Sequence, residues 1–449
     1  MNSRILLLTI LGLITFIPSN LLHAQATQPS EELQNATLPQ LIDYALTHKP
    51  GVRQARLDEE IGEREIKSAL SGWLPQVSAN ASFDHNLKQQ VSPLTIGDET
   101  SYITLGTKNS SSLALRADQQ ILNAGLIQAS KSAKFFREQY DLNTEDEKIN
   151  TVVEVSKAYY DILTSQEQLR IISENINRLE KQFEDAKARF DVGLVDKTDF
   201  QRAQISVGNS RADLKRTTEL LKYKYAYLKS LIGYDPQKDL GLSYDPDEME
   251  AGVFLDTTET LNFKNRVEYR QLQTQKQLQQ INTAYNKLQF LPTLSGFYNY
   301  SLAYNQDDFS ELYNQSFPGS VVGLRASLPI FSGTRRIQEI KRSQLLEDRI
   351  DLDLVDAENQ INSQYELVMA SYKASLNDWQ TAKENVALSQ EVYAVIKLQY
   401  DEGIRAYLDL MTSEIDLRTA QLNYLNSLYS VLSAKLDVKQ ALGTLSIYQ

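Results

Sequence analysis

The sequence predicts an α+β membrane protein made of two tandem structural repeats. Very long coiled-coil helices would carry pairs of strands, and the strands would form a transmembrane β-barrel completed by copies of the same chain. Three observations lead there. The segment 188–200, around Phe190 and Gly193, returns 210 residues later around Tyr400 and Gly403, and Ile232-Gly233 matches Leu442-Gly443 in the same register. Glycine (18) and proline (11) are scarce among 449 residues, which implies few turns and long helices. Four segments of about ten residues alternate apolar and polar side chains, as strands between two different environments do.

Taken in chain order, residues 1–26 read as a secretory signal peptide, with Arg4, an apolar stretch Ile5 to Ile17, and cleavage after Ala24 or Ala26. An uncleaved anchor or a buried N-terminal helix is the alternative. The first repeat, 27–233, opens with a helix from about Gly51 to Trp73, and Leu74-Pro75 then starts the strand Gln76 to Asp84. Val77, Ala79, Ala81 and Phe83 share one face of that strand, and Gln76, Ser78, Asn80, Ser82 and Asp84 the other. A polar loop with Pro93 and Gly97 leads to the returning strand Ser112 to Ala117, so the strand pair occupies about 75–122. A helical hairpin follows over about 124–231. Its first helix has no breaker between Gly125 and Phe190, a rod of roughly 100 Å at 1.5 Å per residue. Leu169, Ile172, Ile176, Leu179, Phe183, Ala186 and Phe190 mark a heptad seam on it, the signature of shallow coiled-coil packing.

Residues 234–260, rich in Asp, Gly and Pro, read as a linker. The second repeat, 261–449, restarts the pattern at Leu291-Pro292. It has strands Thr293 to Tyr304 and Val321 to Ile330 (about 292–331), a loop Gln306 to Gly319, and a hairpin over about 334–443. Its seam runs through Leu408, Met411, Ile415, Leu422, Leu425, Tyr429, Leu432 and Leu436, interrupted only by Arg418.

Four strands cannot close a barrel, and open sheet edges are not tolerated in lipid, so further copies of the chain must complete it. Tyr298, Tyr300 and Tyr304 suit an aromatic girdle at the membrane interface. An amphipathic sheet packed on soluble helices is the competing reading. The net charge of −12 argues against nucleic acid as a partner. With no cysteine, disulfides, thiol chemistry and a cysteine-borne lipid anchor are excluded. His23 falls in the signal segment, leaving His48 and His85 without metal-ligand spacing, and neither a phosphate loop nor a nucleophile elbow is present. An enzyme is therefore not expected, nor a cofactor, nor a metal.

The duplicated helix-strand-strand-helix plan, the Leu-Pro strand starts, the Phe190-x-x-Gly193 and Tyr400-x-x-Gly403 turns with Asp199 and Asp409, and the closing Ala441-Leu442-Gly443-Thr444 resemble the TolC-like outer-membrane efflux proteins over nearly the whole chain. The resemblance implies a homotrimer whose pooled strands close the transmembrane β-barrel and whose helices continue it as an α-helical coiled-coil barrel across the periplasm. Segment 234–260 would lie at the equatorial belt. The tips Val192-Gly193-Leu194 and Gly403-Ile404 would contact a periplasmic adaptor, the membrane fusion protein, with Glu402 departing from the pattern at the second tip. Thr198 and Asp199 would bond Tyr400 and Arg405 across hairpins as the periplasmic gate. Asp409 would form the constriction ring, which Thr412 leaves with less charge where a second acid is common.

Each of these has a plainer reading from the residues alone: turn glycines, a solvated charge pair, a helix-surface aspartate. The function implied is a passive exit channel of a tripartite efflux or secretion system, set in outer-membrane lipid and opened with an inner-membrane transporter. An exported coiled-coil scaffold or adhesin is the rival from another class, and type I protein secretion the rival within the family.

Overall fold

The structure is a computed structural model that describes residues 33–445 apart from 195, 244, 257 and 258; the signal segment expected at 1–26 lies outside the described residues. Two short helices, α1 (Leu38–His48) and α2 (Pro50–Leu70), lead into strand β1 (Gln76–His85), a hairpin β2 (Gln90–Ile96) and β3 (Glu99–Leu105), and strand β4 (Asn109–Leu122). Helices α3 (Ala124–Asp191) and α4 (Lys197–Ile232) form the first long hairpin, and α5 (Pro246–Ala251) lies between the repeats. The second repeat comprises α6 (Val267–Leu288), β5 (Thr293–Gln306), β6 (Phe317–Ser327), α7 (Arg335–Asp401) and α8 (Tyr407–Leu442). The 68 and 67 residues of α3 and α7 correspond to rods of roughly 100 Å. Among the described residues, no helix is long and apolar enough to cross a membrane.

All four long helices end on a glycine in the left-handed region: Gly193, Gly233, Gly403 and Gly443 have φ of 76°, 71°, 78° and 68°. Each end is closed by the same six-to-one bond, from Leu194 N to Arg189 O, Tyr234 N to Lys229 O, and Ile404 N to Gln399 O at 2.8 Å, and from Thr444 N to Lys439 O at 3.1 Å. These bonds satisfy carbonyls that a helix end otherwise leaves open.

The main sheet is antiparallel, in the order β1-β4-β5-β6, so β4 and β5 join the two repeats at its centre and β1 and β6 are left as edges. Register puts Val77, Ala117, Tyr298 and Val322 in one row, and Ser78, Arg116, Asn299 and Val321 in the next. Side chains alternate across a sheet, so one face is apolar and the other mostly Ser, Asn, Arg and Asp. The helical core lies around Leu41, Val155, Ile162, Leu228, Ile232, Tyr372, Leu432 and Val438.

Several expectations change. The polar loop is the β2–β3 hairpin, closed by the two-residue Gly97-Asp98 turn with Gly97 at φ 65°; a two-residue turn with glycine at positive φ suits the strand twist, and an unflanked edge ribbon tolerates Pro93. Strand β6 stops at Ser327 because its partner β5 begins opposite at Thr293. Segment 234–260 is more than a linker over its described residues. Tyr234, Leu240, Leu242, Met249 and Val253 pack into the core, Tyr372 Oη donates to Val253 O at 3.1 Å, and Lys435 Nζ donates to Phe254 O at 2.8 Å. On α8 the buried stripe near the tip is Tyr407, Leu410 and Leu417, while Leu408 and Ile415 of the expected seam are exposed. The helix carries two apolar stripes, and its own chain covers only one.

Candidate functional site

Both tips consist of a glycine turn with apolar residues pointing outward. Val192, Leu194 and Ile404 are 70%, 75% and 73% exposed. A Cβ at Gly193 or Gly403 would meet nothing within 4 Å, so both turns stand free of the rest of the chain. The tips differ in how the second helix starts. At the first, Asp196 Oδ1 accepts from Thr198 N at 2.9 Å, and that amide holds the Asp196 carboxyl below the usual carboxylate range. The cap is thus intact above the ordinary carboxylate pKa and weakens as pH falls through its lowered value. The second tip has Ala406 in that place, with no side-chain cap.

Just inside the turns, Ala186 and Ala203 of the first hairpin pack against Tyr400, Tyr407 and Leu410 of the second in a buried cluster. Phe200 stacks on both Phe183 and Phe190, at centroid distances of 5.2 and 5.9 Å. Tyr400 Oη donates to Asp185 Oδ2 at 3.3 Å, and the Arg189 guanidinium lies 5.1 Å from the Tyr400 ring while holding Asp185 at 3.0 Å. Burial pushes the Tyr400 and Tyr407 phenols up to about 12, and the charge of Asp199 adds in the same direction. Both are neutral at physiological pH. Their contribution to stability is complete below about pH 10, the unfolded phenol value, and is lost as pH rises through about 12.

Thr198 and Asp199 lie on the first turn of α4, and Tyr400 and Arg405 on the facing end of α7 and the second tip. Within one chain, among the described residues, no hydrogen bond or ion pair joins the two sets. Drawn into the aromatic cluster, Tyr400 brings its hydroxyl out beside Asp185. Arg405, on the turn itself, finds its acceptors nearby: Gln399 Oε1 at 3.0 Å and Asp409 Oδ2 at 3.7 Å, one helical turn on. Asp409 therefore shares its charge with Arg405, and Thr412 turns its hydroxyl back to Leu408 O at 2.9 Å. Asp185 and Arg189 were not singled out in the sequence; their i,i+4 spacing beside Phe190 was the available signal. His48 and His85 lie far apart in the chain, His48 stacked on Tyr44 and His85 bonded to Asn109 Oδ1 at 2.6 Å.

The profile of the family described as outer membrane efflux protein matches residues 41–234 and 264–444. The outer membrane protein TolC of Vibrio cholerae serotype O1 is 22% identical over 414 residues, spanning 91% of each chain. The proteases secretion protein PrtF of Dickeya chrysanthemi is 20% identical over 422 residues, spanning 90% of this chain and 87% of that one. Among solved structures, the outer membrane protein VceC of Vibrio cholerae superposes with a TM-score of 0.72 at 16% identity, covering 90% of this chain and 96% of its own. The open-state MtrE outer membrane channel of Neisseria gonorrhoeae gives 0.72 at 17%, covering 90% and 88%. With the two-repeat fold, the open amphipathic sheet and the paired glycine tips in hand, the chain belongs to the outer membrane efflux protein family and is a TolC-like protein of the Gram-negative outer membrane.

Proposed function

We propose that the chain is one of three subunits of a passive exit duct, opened at its periplasmic end by an adaptor and an energised inner-membrane transporter. The observation that carries this reading is the sheet: four strands of 10, 14, 14 and 11 residues, apolar on one face and polar on the other, with two unpaired edges. Strands of this length suit the bilayer, and edges in lipid must pair with further copies. A stripe on α7, with Leu345, Leu352, Val355, Val392 and Val395 each more than half exposed, gives the helices a second surface for a neighbouring copy to cover. The polar face of the sheet then lines the bore, and the β2–β3 hairpin and segment 307–316 stand at the outer mouth.

At the other end, the exposed apolar turns Val192-Gly193-Leu194 and Gly403-Ile404 are the adaptor contacts, and the cluster inside them is the gate. Tyr400 ties the two hairpins of a chain through Asp185. Arg405, half exposed, would exchange its contacts with Gln399 Oε1 at 3.0 Å and Asp409 Oδ2 at 3.7 Å for the first tip of a neighbouring copy, where Thr198 and Asp199 lie. Three copies of Asp409 then ring the constriction and favour cations, weakly because Thr412 stands where a second acid would add charge. Efflux of small compounds and secretion of proteins use the same duct, since the transporter selects the cargo. Planar-bilayer recording tests the reading. Wild type is expected to insert and conduct weakly, and Arg405→Ala to conduct several-fold more. Equal conductance removes Arg405 from the gate, and folded protein that never inserts supports a periplasmic scaffold.

A further inference from the structure

Well inside the tips, the seam between the hairpins contains a buried charge. Glu414 occupies the α8 stripe between Leu410 and Leu417 and is 1% exposed. Its carboxylate accepts from Asn175 Nδ2 at 2.6 Å, Arg178 Nε at 2.8 Å and Gln182 Nε2 at 3.4 Å, all on α3. Ser210 of α4 donates to Asn175 Oδ1 at 3.2 Å and accepts from Arg418 Nη1 of α8 at 3.3 Å. The Tyr393 ring of α7 lies 5.9 Å from the Arg178 guanidinium. All four long helices therefore meet at one polar node, 11 residues and roughly 16 Å inside Gly403.

The node differs in kind from the contacts at the tips. Exposed pairs such as Arg405–Asp409 are screened by water and hold little. Removing one partner from a buried pair leaves a charge with neither water nor counterion, which is strongly unfavourable. The node is also incompletely bonded: among the described residues, Arg178 Nη2 and Gln182 Oε1 are buried without a hydrogen-bond partner. A polar network left partly satisfied can gain bonds by rearranging, or gain water by opening, which suits a contact that must part.

We propose that Glu414 is the positioning residue of an inner clamp, which holds the second hairpin against the first in the shut duct and acts in series with the tip contacts. The proposal rests on the channel reading above. Parting the hairpins brings water to Glu414 and Arg178 and frees α8 to move with its tip. The test is single-channel conductance of Glu414→Gln, which keeps the shape and removes the charge, and of Arg178→Gln, which removes the cation from the less enclosed side. The control is Lys157→Ala, which breaks the 2.6 Å Lys157–Asp437 pair joining the same two helices farther from the tips.

Both clamp variants are expected to conduct several-fold more than wild type, Glu414→Asp to fall between, and Lys157→Ala to match wild type. Combining Glu414→Gln with Arg405→Ala should exceed either single change. Wild-type conductance in both folded clamp variants overturns the clamp while leaving the channel, as does equal opening by Lys157→Ala, which would indicate general loosening. Absence of conductance from wild type itself sinks the channel reading, and the clamp with it.

Discussion

Gly233 and Gly193 hold the same left-handed backbone, yet their surroundings give them different jobs. A Cβ at Gly233 would stand 2.6 Å from the carbonyl oxygen of His48, where the end of α4 presses on the α1–α2 junction; at Gly193 it would meet nothing. An alanine in the left-handed region costs roughly 1–2 kcal/mol at either position, and only Gly233 adds a backbone collision. Thermal unfolding followed by circular dichroism should show Gly233→Ala lowering the midpoint clearly more than Gly193→Ala. Equal shifts would mean that the α4–α1 contact gives way at little cost. Sequence periodicity located both glycines, because φ is a local property of the turn. It did not single out Asp185, Arg189 or Glu414 as contacts, although a charge at Glu414 in line with Leu410 and Leu417 was a visible anomaly on an apolar stripe.

At the scale of elements, alternation in the strands was legible because each residue in turn points to the opposite face. Strand ends and the β2–β3 hairpin were less so. An end depends on where the partner strand stops, and Pro93 obscured an alternation that Gly97-Asp98 would otherwise have announced. The two faces make a direct prediction. Leu324 lies on the apolar face and is 71% exposed, whereas Ser301, at the centre of β5, lies on the polar face opposite Ala114 and Gly319. Leu324→Arg, opposite Gly296 toward one end of β5, should destabilise the membrane-inserted protein by about 1–3 kcal/mol, between the interfacial and midplane costs, and Ser301→Arg far less, as read from urea unfolding in lipid vesicles. A larger loss at Ser301 would invert the assignment of lipid and bore.

The molecule as a whole leaves more apolar surface uncovered than one chain can use. Leu408 and Ile415 were expected on the buried seam of α8; each is 47% exposed, because the inner register is taken by Tyr407, Leu410 and Leu417. Burying such a side chain stabilises by about 1.5–3 kcal/mol, so in the proposed trimer the outer stripe would supply association energy in every copy. Leu408→Ser with Ile415→Ser should leave the folded chain intact and shift native mass spectra from trimer toward monomer. An unchanged trimer would place the subunit contact elsewhere, on the strand edges or the α7 stripe. The sequence by itself determined the duplication, the rod-like helices, the glycine turns and the two faces of the strands, all of which rest on preferences felt within a few residues. Only the tertiary structure decided that Tyr400 meets Asp185 and that Glu414 is enclosed. Those outcomes hang on how one helix is rotated against another, and a shift of one residue turns a helix face by about 100°.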